Sequence, residues 1–142
     1  MTIRNVRDGG MVTIHSDETK TIAGSRHYIH AEDVADATLF LLKHEGTLNV
    51  TNNNGVKCPK FNICGATELD NLQLAQMIAD AQPGKELNYQ FMDFHSSRPG
   101  HDLRYALSGE RMKQMGWEPK PVHERIAEVV KWTLENRRWL DV

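Results

Sequence analysis

Apolar and small residues recur at helical spacing in three stretches of the chain. Ala31, Val34, Ala35, Thr38, Leu41 and Leu42 form the first, with Glu32, Asp33 and Asp36 early in it. Acids near a helix start suit its dipole, Lys43 and His44 suit its end, and Gly46 is the predicted stop. Leu72, Leu74, Met77 and Ile78 form the second stretch. A capping-box pattern from Thr67 to Asp70 opens it, and Pro83-Gly84 ends it. Val122, Ile126, Val129, Val130 and Thr133 form the third, after Pro121, whose missing N–H costs little at a helix start. Ser108 is placed to cap a small helix carrying Met112 and Met115.

Between these stretches the pattern is that of strands and turns. The β-branched run 11–15 predicts a strand, and the polar run 16–25 a loop. Residues 26–30 read as an extended lead into the first helix. Residues 47–51 and 56–64 flank Asn52-Asn53-Asn54-Gly55, and the Asn-Gly pair predicts a hairpin. Alternation over 87–92 predicts another strand; 95–102 reads as a loop and 103–107 as a short segment. Residues 1–10, with Gly9-Gly10, read as a flexible, exposed N-terminal arm. No repeat or low-complexity stretch occurs. The fold class is mixed α and β: one domain over 11–142 behind an arm at 1–10.

Composition agrees with one folded domain: 142 residues, 39% hydrophobic and 25% charged. The net charge is −2 and the pI about 6.4. No basic field is available for a nucleic-acid backbone, so nucleic acid is excluded as a partner. The longest apolar run, near Leu39 to Leu42, falls far short of the roughly 20 residues of a membrane span. The start of the chain has no signal-peptide core. No membrane association and a cytoplasmic location are therefore expected. Cys58 and Cys64 are six apart, a spacing of neither a zinc site nor a redox pair. They fall on one face of the predicted strand and read as packing residues. The sequon at Asn49 carries no meaning without secretion. Of seven histidines, His27 and His30 point to opposite sides of an extended segment, and no His-Glu-x-x-His occurs. No metal site is expected. No Gly-x-Ser-x-Gly elbow is present either.

The stretch that suggests binding is Ser96-Ser97-Arg98-Pro99-Gly100-His101-Asp102. Proline and glycine shape a compact loop that can hold a guanidinium and an imidazole toward one ligand. The planar fork of Arg98 matches phosphate oxygens. Residue chemistry alone leaves a second reading open, a structural turn whose Arg98 pairs with Asp102 or another surface carboxylate. Arg26, after Gly24-Ser25 and just before the first helix, is either a phosphate ligand or a solvated surface arginine. Asn71, early in the second helix, either donates to a ligand or satisfies the helix start.

Six pieces of the chain in order carry a resemblance: 25–37 (Ser-Arg-His-Tyr-Ile-His-Ala-Glu-Asp-Val-Ala-Asp-Ala), Phe61-Asn62-Ile63-Cys64-Gly65, Glu68-Leu69-Asp70-Asn71-Leu72, Arg98-Pro99-Gly100-His101-Asp102-Leu103-Arg104-Tyr105, Met115-Gly116-Trp117-Glu118-Pro119, and 132–139. Together they resemble the C-terminal portion of the dTDP-glucose 4,6-dehydratase and NAD-dependent epimerase/dehydratase family, the extended short-chain dehydrogenases. The resemblance implies a small C-terminal substrate-binding region without its Rossmann domain. It implies that Arg26 and Arg98 contact a diphosphate, that His101 lies beside Arg98, that Asn71 contacts the nucleotide, and that 12–14 runs along the base. The implied ligand is a nucleotide diphosphate sugar of dTDP or UDP type.

The chain departs from the family at matched positions. His27-Tyr28 stands where Asp-Trp usually follows the arginine, and Ser97 where an Asp usually precedes Arg98. Base and sugar stay open on that account. The family's Gly-x-x-Gly-x-x-Gly loop and its Tyr-x-x-x-Lys pair are also not in this sequence: Tyr28, Tyr89 and Tyr105 are followed four residues on by Glu32, Asp93 and Gly109. No cofactor is therefore expected in this chain, whereas the family uses NAD. The resemblance covers roughly the last two-fifths of a family member. It implies a binding part, inactive alone, of an enzyme that oxidises a sugar at C4, eliminates or epimerises, and returns the hydride. A separate Rossmann-domain chain is then its expected partner. The alternative is a non-catalytic binding or assembly module of the same fold, a homo-oligomer formed through surface that the Rossmann domain otherwise covers.

Overall fold

The computed structural model describes residues 1–44, 51–52, 55–56, 60–93 and 102–141. Its helices are α1 (Thr2–Asp8), α2 (Ala31–Lys43), α3 (Asn71–Asp80), α4 (Glu110–Gln114) and α5 (Val122–Glu135), and a 3-10 turn follows at Arg137–Trp139. Its strands are β1 (Val12–Ser16), β2 (Ser25–His27), β3 (Thr51–Asn52), β4 (Gly55–Val56), β5 (Glu68–Asp70), β6 (Tyr89–Asp93) and β7 (Arg104–Tyr105). The mixed α/β class is as expected. No helix among the described residues is long and apolar enough to cross a membrane.

The first half is built on β1 and β6. They pair in parallel, from Val12 opposite Tyr89 to Ser16 opposite Asp93. Alternation in β1 sends Val12, Ile14 and Ser16 inward. Val12 and Ile14 meet Ala75 and Ala79 of α3, with Leu72, Leu87 and Phe91 around them. The expected N-terminal arm is corrected here. Thr2–Asp8 is a helix that drives Val6 into this core. Gly9 ends that helix at φ 70°, a left-handed stop that glycine adopts without strain, so Gly9-Gly10 marks a helix end. The start of α3 is also corrected. The cap is Asp70, whose side chain accepts from the backbone N–H of Gln73 while the Gln73 side-chain oxygen accepts from the backbone N–H of Asp70; Glu68–Asp70 is strand. Asp70-x-x-Gln73 completes the reciprocal box with a Gln at its third position, which Thr67-x-x-Asp70 does not.

A three-stranded sheet, β5-β2-β7, joins the halves; β2 runs antiparallel to β5 and parallel to β7. Beyond it, Ala37 of α2, Met112 of α4 and Trp117 form a second core with Ile29, Phe40, Leu41, Phe61 and Ile63. The hairpin forms at β3 and β4, with Thr51 opposite Val56. The expected strand does not continue through residues 60–64. There the chain crosses the β2–α2 connection so closely that a Cβ on Gly65 would lie 1.9 Å from the Tyr28 carbonyl oxygen. Cys64 is buried, its Sγ 3.6 Å from the Leu107 carbonyl, and burial pushes its thiol upward, so it packs rather than reacts. Gly46, the strand at 47–50, the sequon at Asn49, Cys58 and the loop carrying Arg98 and His101 lie outside the described residues.

The face of α2 expected to be buried is turned outward. Val34 is 39% exposed and Leu42 59%, whereas Asp33 is 4% exposed. Arg125 of α5 explains the rotation. Its Nε donates at 3.0 Å to both Asp33 oxygens, and its Nη1 donates to Glu32 at 2.8 Å and Glu128 at 2.6 Å. These carboxylates push the Arg125 pKa further up. α5 thus sends Arg125 and Val130 inward, and Val129, expected on its buried face, is exposed.

Candidate functional site

β2, β5 and the start of α3 bring two of the four predicted binding residues together. Arg26 lies opposite Leu69, and Ser25 opposite Asp70, the residue before Asn71. The Asn71 amide donates to the Gly24 carbonyl at 2.8 Å. The Tyr28 hydroxyl donates to Asn71 Oδ1. Burial raises the Tyr28 pKa, with the charge of Arg26 opposing, so this phenol stays a donor at neutral pH. With its Oδ1 engaged, Asn71 keeps its amide nitrogen for other partners. Asn71 lines a cavity of about 210 Å³ with Thr13, His15 and Leu74. This puts β1 beside Asn71, where the resemblance implied a strand along a base.

Arg26 donates to the Ser25 carbonyl at 2.9 Å, and its guanidinium lies 4.5 Å from the Tyr105 ring centroid. Among the described residues it pairs with no carboxylate and instead stacks its cation on the Tyr105 ring. Glu68, across from His27, is instead taken by Arg104 at 2.6 Å and by Ser25 Oγ at 2.7 Å. Arg104 foremost, then Ser25, pulls the Glu68 pKa down to about 2. Sequence reasoning missed Tyr28, Tyr105 and the Glu68–Arg104 pair. The two-residue alternation from Arg26 to Tyr28 was the available signal for the first.

Arg98 and His101 lie outside the described residues, but the strands on either side of their loop are fixed. β6 ends at Asp93 opposite Ser16, and β7 begins at Arg104 opposite Ser25. Ser25 N donates to the Leu103 carbonyl at 3.0 Å, and Ser16 bridges to Ala23.

Helix starts here do not suit a dinucleotide pyrophosphate. α2 opens with Glu32 and Asp33, α3 on the Asp70 carboxylate, and α5 with Glu124. Acids at these positions repel the anion that a glycine-rich helix start would hold. These three helix starts do not fit the pyrophosphate of NAD.

No family model matches the chain. Among solved structures, it is similar to the dTDP-glucose 4,6-dehydratase of Bacillus anthracis, solved with NAD, at TM-score 0.71 and 24% identity, over 97% of this chain and 39% of that one. It is similar also to the UDP-glucose 4-epimerase of Thermotoga maritima, solved with UDP-glucose, at TM-score 0.64 and 22% identity, over 95% and 38%. The fold is thus that of part of an extended short-chain dehydrogenase. In sequence, the chain is 34% identical over 122 residues to a dTDP-glucose 4,6-dehydratase of Escherichia coli, covering 79% of this chain and 33% of the relative. The chain belongs to the dTDP-glucose 4,6-dehydratase family and spans about a third of the length of the curated relatives it matches.

Proposed function

We propose that this chain is the sugar-nucleotide-binding, C-terminal part of an NAD-dependent nucleotide-sugar 4,6-dehydratase or epimerase, and that it is inactive alone. Arg26 and Arg98 hold the diphosphate, His101 supports Arg98, and Asn71 donates to the nucleotide. The observation that carries this reading is the convergence on β2: an arginine with no carboxylate partner among the described residues beside a half-buried asparagine oriented by Tyr28. UDP-glucose bound by the Thermotoga maritima epimerase supports the ligand class. These residues bind and orient; the hydride chemistry belongs to NAD held by other polypeptide.

Ligand-observed NMR tests the reading on the 142-residue chain. UDP-glucose or a dTDP-sugar should bind weakly, and Arg98→Ala should weaken binding by about 1.5–3 kcal/mol, the range for a charged hydrogen bond. Equal binding by parent and variant removes the phosphate role of Arg98. Micromolar affinity for NAD would contradict the reading outright.

A further inference from the structure

We propose that Tyr28 is a positioning residue for ligand selection. It locks the Asn71 side-chain amide with its nitrogen forward, so that the site takes an acceptor oxygen of the nucleotide and rejects a donor at that point. The inference rests on the nucleotide role proposed above for Asn71 and adds the residue that sets its polarity.

Asn71 is held at three points. Its backbone N–H donates to the Gly24 carbonyl at 2.8 Å, which fixes where the side chain starts. Its Oδ1 accepts from the Tyr28 hydroxyl. Its Nδ2 passes over Gly24, where a Cβ would lie 3.2 Å from it. That same point lies 3.1 Å from the Leu103 carbonyl oxygen and 3.8 Å from that of His15. A flipped amide would set Oδ1 on the side of these two carbonyl oxygens and Nδ2 against the Tyr28 proton. The groups at both ends therefore choose the same orientation, and the absence of a side chain at position 24 leaves room for it.

An asparagine amide ordinarily serves either kind of partner, because it can turn and offer its oxygen or its nitrogen. Here the oxygen is taken. The nitrogen meets no acceptor among the described residues and is not sealed from solvent. It belongs to a residue that lines the cavity of about 210 Å³ with Thr13 and His15, which lie on the face of β1 turned away from the core. A ligand that reaches Asn71 there meets N–H groups only. A base carbonyl, a ribose oxygen or a phosphate oxygen satisfies them. A ligand amino group would set donor against donor, and each buried donor left unmade is costly. Tyr28 does not line that cavity; it lines another on the far side, with Ile29 and Leu74. Its influence on a ligand in the first cavity therefore passes through Asn71.

The test is a double-mutant cycle on UDP-glucose binding, titrated by ligand-observed NMR on the 142-residue chain, with each variant measured below its own melting temperature. Tyr28→Phe removes only the hydroxyl and should weaken binding about fivefold to tenfold. Asn71→Ala should weaken it at least as much. Adding Tyr28→Phe to Asn71→Ala should change the affinity by no more than about twofold, because the tyrosine then has nothing left to orient. A folded Tyr28→Trp variant, whose indole N–H can only donate, should recover most of the loss seen with phenylalanine. Losses that multiply in the double variant overturn the inference, because Tyr28 would then touch the ligand or act through the fold at large. So does a Tyr28→Phe variant that binds like the parent, or a folded tryptophan variant that binds no better than the phenylalanine one. A parent chain that binds no UDP-glucose removes the proposed function and this inference together. Binding by the parent with losses that multiply removes this inference alone.

Discussion

Helices α3 and α2 treat their surfaces in opposite ways. α3 buries Ala75 and Ala79, leaves Gln73, Gln76 and Asp80 in solvent, and closes a core with α1, β1 and β6. α2 buries Asp33 against Arg125 and leaves Val34, Leu39 and Leu42 in solvent. The first half is a complete two-layer unit held by apolar burial and a local cap. In the second, a buried ion pair sets which side of α2 faces inward. Apolar contacts alone would turn α2 over; a forked guanidinium in a dry site prevents it, because guanidinium and carboxylate must stay paired once out of water.

The most severe break of this contrast is Arg125→Ala. It leaves the Asp33 carboxylate buried without its partner, and removing one member of a buried pair is far costlier than removing both. The melting temperature should fall by roughly 10 °C or more. Arg125→Lys should recover little, since an ammonium cannot fork across both Asp33 oxygens. The double change Arg125→Met and Asp33→Leu should recover most of the loss. A single Arg125→Ala variant melting within about 2 °C of the parent would mean that charge does not set the orientation of α2.

In the α3 half the corresponding probe is smaller. Asp70→Ala removes the capping box and should cost about 1 kcal/mol, read from denaturant or thermal unfolding. A loss as large as that of Arg125→Ala would erase the distinction between a half held by packing and one held by charge.

The same contrast governs what could be read from residues alone. Helices 2, 3 and 5, strands β1 and β6 and the hairpin follow from local periodicity and turn chemistry, which act within a few residues. The buried sides of α2 and α5 do not, because Arg125 and Asp33 are 92 positions apart and periodicity records only which side of a helix is apolar. It cannot say which side finds a partner in this chain. The strand at β5 was hidden similarly: its pairing with β2 across some 43 positions overrides the capping signal at Thr67. At the candidate site, a sequence motif proposes Arg26 and Asn71, and their proximity comes from that pairing. The Tyr28 bond to Asn71 also spans 43 positions and left no local trace.

The finest probe falls on the sheet that joins the halves. Glu68 accepts from Arg104 and Ser25, and its pKa is drawn from 4.5 to about 2, with Arg104 the larger cause. A carboxyl whose folded pKa is depressed binds its proton more readily in the unfolded chain. Its stabilisation is therefore complete above about pH 4.5 and fades as pH falls toward 2. Glu68→Gln should melt at most a few degrees below the parent at pH 6, since the pair is exposed to solvent. The two melting curves should approach each other through pH 4 and 3 and merge near 2. Added salt should narrow the gap at pH 6, because screening weakens an exposed pair. A gap that stays constant from pH 6 to 2 would show that the carboxylate charge does not tie β5 and β7 to β2. The β2 convergence of Arg26 and Asn71 would then rest on the backbone ladder alone.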